Sequence, residues 1–260
     1  THMDWEFLRY MPYFTATASN AGYTWWSHDI GGHHRGERSE ELYLRWLQFG
    51  VFSPINRIHN CPSEVTAKEP WSYSLPTRLT AARWFQLRRQ MVPFLYTRSV
   101  LTNETGAPLI APMYYRWPAE TQAYESYDQY LFGDQLIVAP IVNPSVADGL
   151  ASADVWLPEG VWTDVFTHVR YRGGRTVKML RDCGSIPVLA QDGAILPLDR
   201  GLDNACTLPE ELDVYVFAGN GAFTMIEHSG NQRLETRFAV QQDSEGKLRF
   251  TVESDAEESL

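Results

Sequence analysis

The densest group of residues that could do chemistry lies at residues 25–34, which read Trp-Trp-Ser-His-Asp-Ile-Gly-Gly-His-His. Asp29 lies near the end of a predicted buried strand over residues 23–30, just before the glycine pair. A side chain at the carboxyl end of a strand in an α/β barrel points into the mouth of the barrel. A carboxylate there can accept two hydroxyl hydrogen bonds at once, so it suits a diol. Asp29 could instead cap the following turn, and both interpretations stay open.

A metal site is another interpretation of this stretch, because His28, Asp29, His33 and His34 all carry metal-binding donor atoms. Two observations argue against it. His28 and Asp29 are adjacent on the predicted strand, so their side chains face opposite sides. The spacing of the four residues also matches no standard ligand pattern. We therefore predict no metal site and no cofactor.

A second polar group lies in a long segment without regular periodicity, at residues 54–76. Loops of this length are usually functional or disordered, and the aromatic and proline content here favours order. Arg57 and His59 alternate around Ile58, so an extended backbone would place both side chains on one side. A Ser-His-Asp hydrolase would also use a histidine, but the sequence contains no G-x-S-x-G motif. We predict that this loop lines a binding site.

Two helices are predicted to position these groups. The first begins after Ser39, a suitable N-cap, and ends near Gly50. Its apolar stripe consists of Leu42, Trp46, Leu47 and Phe49. The second pattern covers residues 77–104 and contains Pro93, which should kink or split the helix. A further strand is predicted at residues 108–115, so strands and helices alternate as in an α/β fold.

After residue 120 the pattern changes to short β-type runs separated by glycine and proline turns. The runs recur about every 10 residues, a spacing typical of a β-sandwich. They lie at residues 136–142, 153–157, 176–180, 186–189, 194–198, 212–217, 223–226 and 248–252. The predicted fold class is therefore α/β followed by all-β.

Composition excludes two classes of partner. Lys and Arg number 22 against 32 Asp and Glu, a net charge of −10, whereas nucleic-acid binding needs concentrated basic residues. No apolar run is long enough to cross a bilayer, so we expect no membrane partner.

The three cysteines form no C-x-x-C pair, which favours reduced thiols in a cytoplasmic protein. The 13% aromatic content fits sugar stacking and a packed core equally well.

A series of motifs follows in order between residues 26 and 197. The first are Trp26-Ser27-His28-Asp29-Ile30-Gly31-Gly32, Arg45-Trp46-x-Gln48-x-Gly50 and Arg57-x-His59. The later ones are Glu69-Pro70-Trp71, Leu131-Phe132-Gly133, Leu157-Pro158-Glu159-Gly160-x-Trp162-x-Asp164 and Gly193-Ala194-Ile195-Leu196-Pro197. By their order and spacing, the chain closely resembles glycoside hydrolase family 31, the family of α-glucosidases and α-xylosidases.

This resemblance implies an architecture. Residues 1–119 would be the C-terminal part of a (β/α)8 TIM barrel, with its last two strands at residues 23–30 and 108–115. Residues 120–205 would form a proximal β-sandwich, and residues 206–260 the start of a distal β-domain. An incomplete barrel exposes strand edges and apolar helix faces. We therefore expect either self-association through the barrel remnant or packing of the remnant on the chain's own β-sandwich.

The resemblance also implies roles for single residues. In the family, the residues matching Asp29 and His59 bind sugar hydroxyls in the −1 subsite, and those matching Arg57 and Trp26 lie in or beside it. His33 departs from the pattern, because many members have Phe there. Retaining glycosidases use two carboxylates about 5–5.5 Å apart, and in the family both precede the Asp-Ile-Gly-Gly strand. We therefore expect no catalytic residue in this chain and no activity when it is isolated.

Two functions stay open. The first is part of a retaining α-glycosidase that hydrolyses α-glucosides or α-xylosides, with an α-linked oligosaccharide or glycoside as its partner. The alternative is a non-catalytic carbohydrate-binding or structural β-sandwich module.

Overall fold

The structure of the chain is a computed structural model that describes residues 1–63, 66–201 and 209–255, with the side chain of Ala147 left out. The predicted boundary between residues 205 and 206 lies outside these residues, as does Cys206. None of the helices in the described ranges combines the length and apolar character needed to cross a membrane.

Helices dominate the first 125 residues. They are α1 (Trp5–Thr17), α2 (Glu40–Val51), α3 (Leu75–Gln90), α4 (Val92–Thr105) and α5 (Thr121–Glu125). Helix α1 is not among the helices that the sequence pattern predicts, although Asp4 is a good N-cap whose Oδ1 accepts a hydrogen bond from the Phe7 amide at 2.8 Å. Two short parallel strands lie beside these helices, β1 (His2–Met3) and β2 (His34–Gly36).

The predicted first helix is confirmed as α2, with one change at its end. Ser39 is the N-cap, and its Oγ accepts a hydrogen bond from the Leu42 amide at 3.3 Å. Gly50 does not end the helix, since α2 continues through Val51. A Cβ at Gly50 would lie only 2.5 Å from Cδ1 of Ile30. The glycine therefore allows close packing inside the helix instead of terminating it.

The proline in the second helical pattern splits it, as predicted. Helix α3 ends at Gln90 and α4 begins at Val92, so that Pro93 lies in the first turn of α4, where its missing N–H costs no intrahelical hydrogen bond. Helix α4 ends at Thr105, and Gly106 caps it with a left-handed φ of 75°, which suits glycine.

The predicted strand at residues 23–30 is wrong as a regular strand. Within the described ranges, its pairing with other segments consists of a parallel bridge between Ser27 and Ile55 and a hydrogen bond from the Ile30 amide to the Arg57 carbonyl at 3.2 Å. A strand needs a ladder of successive pairs, which these two contacts do not provide. They nevertheless place two segments side by side with α2 as the crossover between them. The start of the predicted loop is thus the parallel neighbour of the Asp29 segment.

The predicted strand at residues 108–115 is shorter than expected. It contains β3 (Ile110–Pro112), which pairs antiparallel with β4 (Tyr130–Phe132). Residues 113–115 turn instead into a short 3-10 helix. The antiparallel partner joins β3 to the sheet of the following domain.

The remainder of the chain is β-structure. The other strands are β5 (Leu136–Val138), β6 (Ala151–Leu157), β7 (Val161–Asp164), β8 (Arg170–Arg172), β9 (Arg175–Arg181), β10 (Val188–Gln191), β11 (Ile195–Asp199), β12 (Leu212–Val216), β13 (Gly221–Ser229), β14 (Gln232–Gln242) and β15 (Leu248–Ser254). Every predicted β-type run overlaps one of them. A six-stranded sheet has the order β3-β4-β5-β10-β7-β8, and separate sheets are formed by β6-β9, β11-β12 and β13-β14-β15.

The helices pack on the β-structure of the same chain. Leu42 and Trp46 are buried in the common core, and Phe85 and Leu87 are partly buried against it. Burial of each large apolar side chain contributes about 1.5–3 kcal/mol. These four side chains thus follow the second expectation, in which the barrel part packs on the chain's own β-structure.

Polar contacts reinforce this packing. Arg45, fully buried in α2, donates hydrogen bonds to the carbonyl oxygens of Asp182 at 2.7 Å and Arg181 at 3.0 Å. Gln48 donates to the carbonyl oxygen of Cys183 at 2.7 Å. Two side chains of the Arg45-Trp46-x-Gln48 motif therefore bind α2 to the main chain at and just after the end of β9.

Candidate functional site

A tight turn positions Asp29. The Gly32 amide donates a hydrogen bond to the Asp29 carbonyl at 2.9 Å, and Gly31 and Gly32 have φ values of 79° and 83°. Both angles are left-handed, which glycine adopts without penalty. A Cβ on Gly32 would also lie 2.4 Å from the carbonyl oxygen of His2. The Asp-Ile-Gly-Gly sequence thus needs both glycines to hold the turn.

The Asp29 carboxylate has a partner on each oxygen. The Arg57 guanidinium donates to Oδ1, and Nδ1 of His33 lies 3.0 Å from Oδ2. The Asp29 side chain is 16% exposed, so it can still be reached from solvent. A carboxylate oxygen accepts more than one hydrogen bond, and both oxygens therefore keep capacity for a ligand hydroxyl.

The exposed His59 completes the group. Its ring centroid lies 5.0 Å from that of His33, and one donor atom each from Asp29, His33 and His59 lie within 4.8 Å of one another. The structure therefore brings together three of the four residues singled out from the sequence: Asp29, Arg57 and His59. Asp29 and His59, together with His33 but without Arg57, could hold a metal ion.

Trp26, the fourth residue singled out from the sequence, packs in another direction. Its ring meets Phe14 of α1 edge-on at 5.1 Å. Its Nε1 is buried and has no hydrogen-bond partner among the described residues. Among the described residues, no hydrogen bond or ring contact joins Trp26 to the Asp29 group, so its place beside the group rests on sequence proximity.

Lys68 supports the site, and the sequence reasoning missed it. Its side chain is buried, and Nζ donates to the carbonyl oxygens of Gly32 and, at 3.0 Å, His59. One ammonium group thereby ties the Asp29 turn to the His59 segment. Burial lowers the pKa of Lys68 to about 8, although Asp29 acts in the opposite direction. Only its position in a long ordered loop could have indicated this role.

His28 belongs to the core and faces away from Asp29, as the strand argument predicted. Its ring stacks on Phe49 at 4.3 Å, and its two nitrogens contact Trp46 Nε1 and Ser53 Oγ. Burial lowers the pKa of His28 to about 3, against the raising effect of Asp29. A neutral, fully bonded histidine of this kind supports the fold and does not take part in the site.

Two family profiles match consecutive parts of the chain. The glycosyl hydrolases family 31 TIM-barrel domain matches residues 1–98, and the glycosyl hydrolase family 31 C-terminal domain matches residues 106–196. The chain belongs to glycoside hydrolase family 31. The predicted fold class, the C-terminal part of a TIM barrel followed by β-domains, is thereby confirmed, while the two boundaries between the three predicted domains stay predictions.

Curated and solved members of family 31 align over most of the chain. It is 27% identical to an α-xylosidase of Saccharolobus solfataricus over 234 residues, covering 87% of this chain and 31% of that protein. It is 28% identical to α-glucosidase 2 of Bacillus thermoamyloliquefaciens, covering 84% and 27%. A Flavobacterium johnsoniae family 31 dextranase, solved with glucose, superposes with a TM-score of 0.86 at 25% identity, covering 96% of this chain and 32% of that one. The chain thus spans about a third of the length of these family 31 proteins.

Proposed function

We propose that this family 31 chain supplies sugar-binding residues of the −1 subsite in a retaining α-glycosidase. Asp29 and His59 would bind sugar hydroxyls, Arg57 would lie beside them, and Trp26 would border the subsite. The observation that carries the proposal is the convergence of Asp29, Arg57 and His59 from two segments that are separate in sequence.

The chemistry of these side chains suits a sugar ring. A carboxylate accepts hydroxyl hydrogen bonds, a guanidinium donates in a fixed fork, and an imidazole both donates and accepts. The contact with Arg57 holds the Asp29 carboxylate in one orientation, so less side-chain freedom is lost when a ligand binds. Tethering by Lys68 keeps the two segments at a constant separation.

The catalytic carboxylates are proposed to come from another part of the parent protein. The family resemblance assigns the nucleophile and the acid/base to the polypeptide before the Asp-Ile-Gly-Gly turn. The parent would then act on α-glucosides or α-xylosides, and similarity to both an α-glucosidase and an α-xylosidase supports either substrate. The isolated 260-residue chain should show no turnover of aryl α-glucosides or aryl α-xylosides.

The test is ligand binding without turnover. Saturation-transfer NMR with methyl α-glucoside and methyl α-xyloside should detect binding of at least one sugar to the chain. Asp29→Asn should weaken binding at least tenfold, because the amide nitrogen cannot accept a hydrogen bond from a sugar hydroxyl. Asp154→Asn is the matched control, since Asp154 is exposed on β6 and should leave affinity unchanged.

Equal binding by wild type and Asp29→Asn would exclude the subsite and favour the alternative of a non-catalytic carbohydrate-binding or structural module. Turnover by the isolated chain that survives repurification would contradict the assignment of the catalytic pair to another part of the parent.

Cytoplasmic location and self-association remain proposals. The two described cysteines, Cys61 and Cys183, are free thiols, which supports a reducing compartment. Three aromatic side chains of α1 are exposed and could support self-association through the barrel part: Tyr10, Tyr13 and Phe14. Light scattering over a concentration series would test this, and a strict monomer would contradict it.

A further inference from the structure

Asp29, His33 and His59 form a group of donor atoms with the composition of a metal site. The group offers one carboxylate oxygen and two imidazole nitrogens within 4.8 Å of one another. The ligands differ from the set considered in the sequence, because His28 is turned into the core and His59 joins from the neighbouring segment. Imidazole and carboxylate are common ligands of Zn²⁺ and other divalent transition metals.

The contact between His33 and Asp29 is close but is not a hydrogen bond. Nδ1 of His33 is buried and lies 3.0 Å from Asp29 Oδ2, yet it makes no hydrogen bond within the described residues. The two atoms are close without the alignment that a hydrogen bond requires. In a tetrahedral zinc site with bonds of about 2.0–2.1 Å, two ligand atoms lie about 3.3 Å apart. The observed separation is near that of two ligands of one ion.

The surrounding charges permit a cation. Arg57 contacts Oδ1 of Asp29, which leaves Oδ2 for the ion, and the Arg57 side chain is 46% exposed and can move into solvent. The ammonium of Lys68 is directed at two backbone carbonyls. His59 is exposed, so rotation of its ring can shorten the remaining distance to the other two ligands.

We propose that Asp29 Oδ2, His33 and His59 bind one divalent transition-metal ion, with Zn²⁺ as the expected occupant and water as the fourth ligand. The proposal does not depend on sugar binding, although both use Asp29 and His59. Metal and sugar should therefore compete for these two side chains.

The test is calorimetric titration of the metal-free chain with ZnCl₂. Wild type should bind one equivalent of Zn²⁺. His33→Phe and His59→Gln should each lower the affinity at least tenfold, whereas His34→Gln, which removes the adjacent imidazole, should leave it unchanged. Titration with CoCl₂ should give the visible absorption bands of a four-coordinate Co²⁺ site in wild type but not in His33→Phe. Because His59 is exposed, His59→Gln should not disturb folding. It therefore tests the site even if His33→Phe fails to fold.

Unchanged Zn²⁺ affinity in both His33→Phe and His59→Gln would overturn the proposal. Loss of affinity in His34→Gln would also overturn it, because that result places the ion at the His2–His34 pair. Failure of the chain to bind methyl glycosides would not affect this titration. Zn²⁺ binding without sugar binding would support the metal site and count against the proposed subsite.

Discussion

Nε1–H of Trp46 donates a hydrogen bond to Nδ1 of His28 at 3.2 Å, deep in the core. An indole nitrogen can only donate, so Nδ1 must be the unprotonated nitrogen of His28. The proton therefore lies on Nε2, which donates to Ser53 Oγ at 2.9 Å, and Ser53 in turn donates to the Phe49 carbonyl at 2.8 Å. A second proton on His28 would remove the bond to Trp46.

This arrangement predicts loss of stability in acid. The folded His28 stays neutral down to about pH 3, whereas the unfolded chain binds a proton below its ordinary pKa of 6.5. The free energy of unfolding should therefore fall as the pH drops from 6.5 towards 3, by at most about 1.4 kcal/mol per pH unit from this group.

His28→Gln tests this directly. The variant should be about 1–3 kcal/mol less stable than wild type at pH 7.5, because bonds to Trp46 and Ser53 are lost. At pH 5 the difference in stability between wild type and variant should be about 2 kcal/mol smaller, because only wild type has the His28 imidazole that takes up a proton on unfolding. Urea unfolding at both pH values measures it, with the exposed His168→Asn as control. A difference that is the same at both pH values would contradict the prediction.

Lys68 should produce a pH dependence of the same sign, but in the alkaline range. The pKa of Lys68 is about 8 in the folded chain and 10.5 in the unfolded chain, so between these values the unfolded state binds more protons. Stability from this group then rises with pH. The stability of wild type relative to Lys68→Met should increase by about 2 kcal/mol between pH 8 and pH 9.5. The stability of Lys178→Met, a change at an exposed position, should vary with pH in the same way as that of wild type. If the pH profile of Lys68→Met also ran parallel to that of wild type, the lowered pKa assigned to Lys68 would be refuted.

Gly50 and Ile30 should be coupled. Gly50→Ala places a Cβ 2.5 Å from Cδ1 of Ile30, and this overpacking should cost about 1–3 kcal/mol. Ile30→Val removes Cδ1. The double variant should therefore lose less stability than the sum of the two single variants. Additive losses in a double-mutant cycle would show that the contact with Ile30 does not cause the loss of stability in Gly50→Ala.

Arg45 should matter more than an exposed arginine. Arg45→Met leaves the carbonyl oxygens of Arg181 and Asp182 without their donor in a buried environment, which should cost about 2–4 kcal/mol. Arg170→Met removes the exposed ion pair with Asp192 and should cost less than about 1 kcal/mol. Equal losses in thermal or urea unfolding would argue against the proposed contribution of the Arg45 contacts.

Local signals in the sequence predict α2, α3 and α4 well, whereas α1 is missed despite its Asp4 N-cap and the strands of the first part are predicted poorly. Ser39 and Pro93 act through their immediate neighbours, and their predicted effects are confirmed. The segment at residues 23–30 has no such local determinant, because a strand exists only through pairing with distant residues. Strand β14 (Gln232–Gln242) was also missed, since its mixed polar sequence is stabilised by pairing with β13 and β15 on both sides.

The candidate site divides in the same way. Asp29, Arg57 and His59 could be singled out from residue type, alternation and family pattern. The support from Lys68 could not, because lysine is normally exposed and its two carbonyl partners lie 9 and 36 positions away. The role of His33 likewise depends on an inter-segment distance that no spacing rule contains.

Arg88 of α3 donates to three carbonyl oxygens at the end of α2, those of Val51, Ser53 and Pro54, at 2.6–2.7 Å. These carbonyls directly precede the segment that carries Arg57 and His59. The backbone at these positions is therefore already ordered in the folded chain, before any ligand binds. A ligand that binds there does not have to order this part of the backbone. Less of the free energy of its contacts is then offset by lost conformational entropy, so its affinity is higher.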